Sequence, residues 1–105
     1  MAQYDVYANP DPRSRERVPY LVDVQSAMLS ELRTRFVVPL STTAAALPHA
    51  PRRLSPTFVV QGQLLALQPH LAAGIDARQL KRPVASLADR AADIVGALDA
   101  VVSGL

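Results

Sequence analysis

The spacing between apolar residues changes once along this chain, at about residue 86. Before that point the apolar residues form short runs that alternate with polar residues, as in "QYDVYA" (3–8), which is the two-residue period of β-strands. After it they recur at the steps of four and three expected of an amphipathic helix, at Leu87, Ala91, Ile94, Leu98, Val101 and Leu105. The sequence therefore predicts a β-rich chain, all-β or α+β, with strands within residues 3–84 and one C-terminal helix over about 86–103.

Two segments refine the predicted sheet. "TFVVQGQLLAL" (57–67) predicts a β-hairpin, because Gly62 in the Gln61–Gly62 turn tolerates the positive φ that a tight turn requires. "RFVVPL" (35–40) is short, β-branched and apolar, and it predicts a buried strand. Pro39 lacks a backbone N–H, so it predicts either the margin of a strand or an edge strand at this point.

Weaker signals complete the sheet. In "YLVDVQ" (20–25) the alternation places Asp23 and Gln25 on the face opposite Val22 and Val24. The later segment "ARQLKRPV" predicts a weak final strand. Short strands followed by one helix indicate a compact antiparallel sheet or barrel with a helix packed on it.

The ends of the predicted helix carry recognisable signals. Ser86 and Asp89 have the spacing of a capping box at the N-terminus, with Asp in the position of the more usual Glu. Gly96 lowers helix propensity, so we expect it to mark close packing against another backbone. Gly104 is the residue type that commonly ends a helix.

Length and composition narrow the classes of protein that this chain can be. A chain of 105 residues has room for one hydrophobic core, so we expect a single domain over residues 1–105. It contains no cysteine, which excludes disulfides, thiolate zinc sites and a cysteine nucleophile. No apolar stretch approaches the roughly 20 residues of a membrane span. The N-terminus lacks the basic start and apolar core of a secretory signal, so we expect a cytoplasmic protein that does not bind membranes.

Charged and titratable residues do not indicate a catalytic centre. The formal net charge is +2, and the basic residues occur in small groups rather than on one predicted face, which favours a solvated surface over direct nucleic-acid binding. His49 and His70 lack acidic or cysteine partners at metal-ligand spacing, and Asp23 is a single carboxylate. No phosphate-binding loop or nucleophile elbow is present. The sequence therefore predicts no catalytic residue, no metal site and no cofactor.

One long stretch resembles a known family. "PYLVDVQSAMLSELRTRFVVPL" (19–40) closely resembles the corresponding region of the CcdB family of type II toxin–antitoxin toxins, through its "VDVQS" core, its arginine-bearing loop and its closing "RFVVPL". "YDVYAN", "LSPTFVVQGQLLALQPHLA" and "DIVGALDAVVSGL" are similar to other parts of the same family pattern, in the same order. The resemblance spans nearly the whole chain.

This resemblance implies a fold and a mode of action. It implies an SH3-like antiparallel sheet or barrel of the CcdB/MazF (Kid) type, with one C-terminal helix, assembled as a homodimer. Members of the family bind the dimerisation region of the DNA gyrase A subunit and trap gyrase on cleaved DNA. A CcdA-like antitoxin neutralises them by folding a disordered segment around the dimer. The toxin–antitoxin complex represses its own operon, so the toxin contacts DNA only indirectly, through the antitoxin or through gyrase.

The resemblance also implies site residues. The poisoning residues of the family are the last three of the chain, here Ser103, Gly104 and Leu105. Residues that assist them on the same helix and on the loop after "VDVQS" correspond to Asp99, Val102, Met28 and Leu29. Antitoxin binding is expected at Met28, Leu29 and Ser103. Ser103 departs from the best-known family pattern, which has an aromatic residue immediately before the final glycine.

Two alternatives share the same fold. One is an endoribonuclease of the MazF/Kid kind, which needs acid–base groups and a cationic phosphate clamp. Arg33 or Arg35 together with Asp23 are the candidates for those roles. The other is a non-toxic relative of the family that acts only in antitoxin binding and operon autoregulation.

Overall fold

A computed structural model describes residues 2–104, and the described residues form a β-rich fold with one C-terminal helix, α1 (Ala91–Ser103). The strands are β1 (Asp5–Ala8), β2 (Tyr20–Asp23), β3 (Thr34–Thr42), β4 (Thr57–Val60), β5 (Gln63–Leu67), β6 (Ala73–Asp76) and β7 (Ala85–Ser86). Short 3₁₀ turns connect several of them. The predicted β-rich fold class is confirmed.

The strands form one antiparallel sheet that is nearly closed. Its order is β4-β5-β3-β2-β1-β7, and β6 pairs with β3 beside this path. The Gln61 side-chain amide at the β4–β5 turn donates a 2.7 Å hydrogen bond to the carbonyl of Val84. The backbone N–H of Val84 in turn donates to the carbonyl of Val6 in β1. These bonds bring the β4–β5 hairpin beside the opposite end of the sheet, so the sheet resembles a barrel.

Strand β3 is the centre of the sheet, and the prediction that Pro39 marks an edge is wrong. On one side β3 pairs with β2; on the other it pairs with β6 through 34–37 and with β5 through 40–42. Pro39 lies between these two segments, and its carbonyl accepts a 2.9 Å hydrogen bond from the backbone N–H of Gln68. The N–H and C=O of a strand residue point to the same side, so the missing donor of Pro39 faces the gap between β6 and β5.

The predicted hairpin over residues 57–67 is confirmed. β4 and β5 pair from Thr57↔Ala66 to Val60↔Gln63, which leaves Gln61 and Gly62 as a two-residue turn. Their φ angles are 52° and 77°, as a tight turn with both central residues at positive φ requires.

The core lies on both faces of the central strands. The larger cluster joins β1 to β5 with α1 and contains Val6, Val22, Val24, Val38, Leu40, Phe58, Val60, Leu65, Leu67, Leu87, Ile94 and Ala97. The smaller cluster contains Tyr7, Leu21, Val37 and Leu80. Neighbouring residues of β1, β2 and β3 enter different clusters, so both faces of these strands are buried. Asp23 shares the face of Leu21 and is therefore buried.

The C-terminal helix begins later than predicted. Ser86 belongs to β7, where it pairs with Asp5, and the backbone N–H of Leu87 donates to the carbonyl of Tyr4. These bonds keep the chain extended at residue 86; a 3₁₀ turn at Ala88–Arg90 follows, and α1 starts only at Ala91. The hydroxyl oxygen of Ser86 accepts from the backbone N–H of Ala88 at 3.2 Å, in place of the capping-box bond to Asp89.

Two further expectations are corrected. A Cβ added at Gly96 meets no atom within 4 Å, so this glycine does not mark a close approach of another backbone. The predicted strand over residues 77–84 is a 3₁₀ turn at Ala77–Gln79 followed by irregular chain, and the strand lies just before it, as β6. Asp76 ends that strand because its side chain accepts from the backbone N–H of Arg78 and caps the turn.

Among the described residues, no helix has the length and apolarity to cross a bilayer.

Candidate protein-binding site

The last turn of α1 is a well-formed helix end. Gly104 adopts φ 73°, in the left-handed region, and its backbone N–H donates a 3.0 Å hydrogen bond to the carbonyl of Ala100. The hydroxyl of Ser103 donates a 2.7 Å hydrogen bond to the carbonyl of Asp99. Gly104 therefore ends the helix as predicted, and the side chain of Ser103 is tied to its own helix. Leu105, the last predicted site residue, lies outside the described residues.

The predicted site residues on this turn are exposed. Val102 is 88% exposed, and Asp99, Ser103 and Gly104 also face solvent. Val101 is 42% exposed although it continues the apolar stripe of the helix, so the stripe is buried only as far as Leu98. An apolar side chain as exposed as Val102 is typical of a binding surface when other apolar residues surround it.

A small depression adjoins the helix end. It has a volume of about 210 Å³ and lies between the last turn of α1 and the segment before β4. Its lining residues are Pro51, Arg53, Leu54, Ala100 and Gly104. Sequence reasoning missed this contribution of residues 51–54, because no pattern in that proline-rich segment places it beside the C-terminus.

A second exposed apolar surface lies on the loop between β2 and β3, residues 26–32. A 3₁₀ turn at Ala27–Leu29 is capped by Ser26, whose hydroxyl oxygen accepts from the backbone N–H of Met28 at 3.2 Å. Met28 is 92% exposed, Leu29 50% and Leu32 52%. Three apolar side chains within five residues thus face solvent.

Buried polar groups lie directly under this loop. The carboxylate of Asp23 forms an ion pair with the guanidinium of Arg35, with N–O distances of 2.7 and 2.8 Å, and both side chains are almost fully buried. The other carboxylate oxygen of Asp23 accepts from the backbone N–H of Gln25 at 3.0 Å. The amide of Gln25 then bonds the backbone of both Leu29 and Phe36.

The buried pair of Asp23 and Arg35 also affects the ionisation of Tyr7. Burial raises the pKa of the Tyr7 hydroxyl above its ordinary value, the negative charges of Asp5 and Asp23 raise it further, and Arg35 opposes them. The hydroxyl is buried and has no hydrogen-bond partner among the described residues. Tyr7 therefore stays neutral and offers no proton to solvent.

These arrangements bear on the ribonuclease hypothesis. Asp23 and Arg35 are paired with each other inside the protein, so they are not available to bind or cleave a phosphodiester. Arg33 is exposed and lines a surface depression with Asp76, whose carboxylate is already paired with Arg78. Within residues 2–104, no group of three or more potential ligands is placed to hold a metal ion. The exposed chemistry at the candidate site is apolar and suits protein binding.

The structure does not bring the two predicted surfaces together within one chain. Over residues 2–104, no hydrogen bond or ion pair links the 26–32 loop to the last turn of α1. The depression at Met28–Leu32 and the one beside Gly104 share no lining residue. The two surfaces are therefore separate contact sites within the described part of the chain.

Comparison with known proteins identifies the family. The family model described as CcdB protein matches residues 3–104, nearly the whole chain. No curated protein matches the chain.

Proposed function

We propose, from the premise that this chain belongs to the CcdB family, that it is the toxin of a type II toxin–antitoxin system and a poison of DNA gyrase. It binds the A subunit of gyrase and traps the gyrase–DNA cleavage complex in the cytoplasm. A CcdA-like antitoxin neutralises it. The protein acts as a homodimer, and it contacts DNA only through gyrase or through the antitoxin.

The exposed last turn of α1 is the observation that carries this proposal. Ile94 and Ala97 are fully buried and anchor the helix on the sheet, whereas Val102, eight residues after Ile94, is 88% exposed. A turn that is already ordered loses little conformational entropy when a partner binds it. Gly104 has no side chain, so a gyrase segment can approach its backbone closely.

The 26–32 loop supplies the second contact. Met28 is flexible and polarisable, a residue type that adapts to irregular partner surfaces. We assign Met28, Leu29 and Ser103 to antitoxin binding as well as to gyrase binding. The two partners then compete for the same side chains, and competition alone accounts for neutralisation.

Trapping follows from differential affinity. A protein that binds the DNA-cleaved state of gyrase better than its other states raises the population of that state. To convert a 1:99 population into 99:1, the toxin must prefer the cleaved state by about 10⁴-fold. No bond needs to be made or broken by the toxin itself.

Ser103 favours a second candidate function. Its hydroxyl is engaged by the carbonyl of Asp99 at 2.7 Å, so it offers gyrase little beyond its small size. An aromatic residue at this position would add about 0.5–2 kcal/mol by stacking on a cation. The second candidate is therefore a relative that binds antitoxin and regulates its operon without poisoning gyrase.

A cleavage assay separates these functions. Purified protein is mixed with gyrase and supercoiled DNA, and the products are denatured before electrophoresis. Gyrase poisoning predicts linear DNA with the wild-type protein and its loss when residues 103–105 are deleted. The matched control is Val59→Ser, which alters another exposed valine, on the β4–β5 hairpin, and is expected to leave linearisation unchanged.

Two results would redirect the proposal. Antitoxin binding without any linear DNA would favour the second candidate. Cleavage of RNA by the purified protein alone would overturn both and favour a ribonuclease.

A further inference from the structure

Gln25 joins the exposed 26–32 loop to the interior of the sheet. Its side-chain N–H₂ donates a 2.8 Å hydrogen bond to the carbonyl of Leu29, and its side-chain oxygen accepts a 2.9 Å hydrogen bond from the backbone N–H of Phe36 in β3. The residue is 6% exposed, whereas Met28 within the loop is 92% exposed. One buried amide thus bridges strand and loop.

The position of this amide is itself fixed. The backbone N–H of Gln25 donates to a carboxylate oxygen of Asp23 at 3.0 Å, and the other carboxylate oxygen is held by Arg35. A continuous series of hydrogen bonds therefore runs from the buried ion pair through Gln25 to the carbonyl of Leu29. The other hydrogen bonds of the loop's backbone close short turns within residues 26–32.

We propose that Gln25 is a positioning residue, which sets the conformation in which the loop presents Met28 and Leu29 to a protein partner. Its consequence for gyrase binding rests on the function proposed above. The physical reason is that Gln25 satisfies a donor and an acceptor of the backbone at once. Without its amide, the Leu29 carbonyl and the Phe36 N–H lose their side-chain partner, and the loop loses its side-chain bond to the sheet.

The test replaces Gln25 with side chains that cannot make this bridge. Gln25→Met keeps the volume and removes both hydrogen bonds, and Gln25→Asn keeps the amide but is one methylene too short. The matched control is Gln61→Asn, which removes another glutamine-to-carbonyl bond, the one to Val84, far from the loop in sequence. Asparagine also tolerates the positive φ of Gln61.

Two measurements are made on each variant. Amide hydrogen exchange is followed at Leu29, Ser30 and Leu32 in the loop and at Val38 and Leu40 in β3. Affinity for the purified gyrase A subunit is measured by calorimetry. We expect loop exchange to rise about 10-fold in both Gln25 variants, with β3 exchange unchanged, and gyrase affinity to fall about 10-fold. Gln61→Asn should show the wild-type rate of amide exchange in the loop and the wild-type affinity for the gyrase A subunit.

The outcomes distinguish this inference from the proposed function. Unchanged loop exchange in a folded Gln25→Met protein overturns the positioning role, and so does an equal rise in the loop and in β3, which indicates general destabilisation. Failure of both Gln25 variants to fold also overturns it, because Gln25 would then be a core residue. A wild-type protein that does not bind gyrase refutes the proposed function, while loop exchange still decides the role of Gln25.

Discussion

The first half and the last turn of α1 differ in the burial of similar apolar residues. Ile94 and Ala97 are fully buried against the sheet, whereas Val101 is 42% and Val102 88% exposed. Burial of a side chain such as Ile94 contributes about 1.5–3 kcal/mol to folding, and an exposed valine contributes little. The difference shows that only the first half of this helix contributes its apolar side chains to the fold, while the apolar side chains at its end are exposed, where we propose that a partner binds.

The junction of β2 with the following loop shows the same contrast in reverse. Asp23 and Gln25 are polar and buried, while Met28 is apolar and exposed. Proteins normally bury the second kind of residue and expose the first. Polar groups here order the backbone from inside, and the apolar side chains remain available outside.

The largest expected effect tests the buried side of that junction. Arg35→Ala leaves the buried carboxylate of Asp23 without its partner, and we expect a loss of about 3–5 kcal/mol in the free energy of unfolding. Urea denaturation measures it. Arg33→Ala is the matched control two residues away, and because Arg33 is exposed we expect a change within about 0.5 kcal/mol. Equal losses of unfolding free energy for Arg35→Ala and Arg33→Ala would contradict the contrast between the buried and the exposed side of this junction.

The second prediction compares the two halves of α1 directly. Ile94→Ala removes a fully buried side chain, and we expect it to destabilise the protein by about 2–5 kcal/mol. Val102→Ala should change stability by no more than about 0.5 kcal/mol, since Val102 is exposed. Thermal unfolding of the two variants checks the pair. A large loss with Val102→Ala would mean that the helix end packs against the fold.

A smaller effect comes from the two glycines of the helix. Gly96 lies inside α1 with open space around it, so Gly96→Ala should stabilise the protein by about 1 kcal/mol. Gly104 has φ 73°, so Gly104→Ala should destabilise the helix end by about 1 kcal/mol. Opposite shifts in the unfolding midpoint are the expected result. Shifts of the same sign would contradict this and would indicate a further structural constraint on one of the two glycines.

The smallest effect concerns an exposed ion pair, in contrast to the buried one. Hydrogen bonds from Arg78 lower the pKa of Asp76 from 3.8 to about 2. A lowered pKa in the folded state gives a stabilisation that is present above pH 3.8 and is lost as the pH falls toward 2. Solvent screening makes it slight. Melting temperatures of wild type and Asp76→Asn should therefore differ slightly at pH 5 and converge as the pH falls through about 2; a constant difference would contradict this.

Local sequence patterns predicted the fold well where the conformation of a segment depends on its neighbouring residues alone. The hairpin at Gln61–Gly62 and the helix end at Gly104 depend on conformations that neighbouring residues determine. The edge position of Pro39 and the strand at 77–84 failed because they depend on which strands pair. β3 changes partner between Val37 and Leu40, where Pro39 lacks an N–H, and spacing alone does not reveal this.

Part of the candidate site was predictable for a different reason. The exposed residues of the helix end and the loop were named through the family resemblance, and their exposure agrees with a binding role, while the role itself stays a prediction. Gln25 was missed because a polar residue in an alternating segment predicts a solvent-facing position. Its burial depends on a second core cluster, on the opposite face of the sheet, which only the full topology creates.

We propose that the end of α1 is a gyrase-binding surface. The most direct measurement is the affinity of the gyrase A subunit for Val102→Asp and for Val59→Asp, two valines that are 88% and 67% exposed on different parts of the molecule. We expect Val102→Asp to weaken binding by about 10-fold or more and Val59→Asp to leave it unchanged. Unchanged binding by Val102→Asp, in a protein whose wild type binds gyrase, would contradict it.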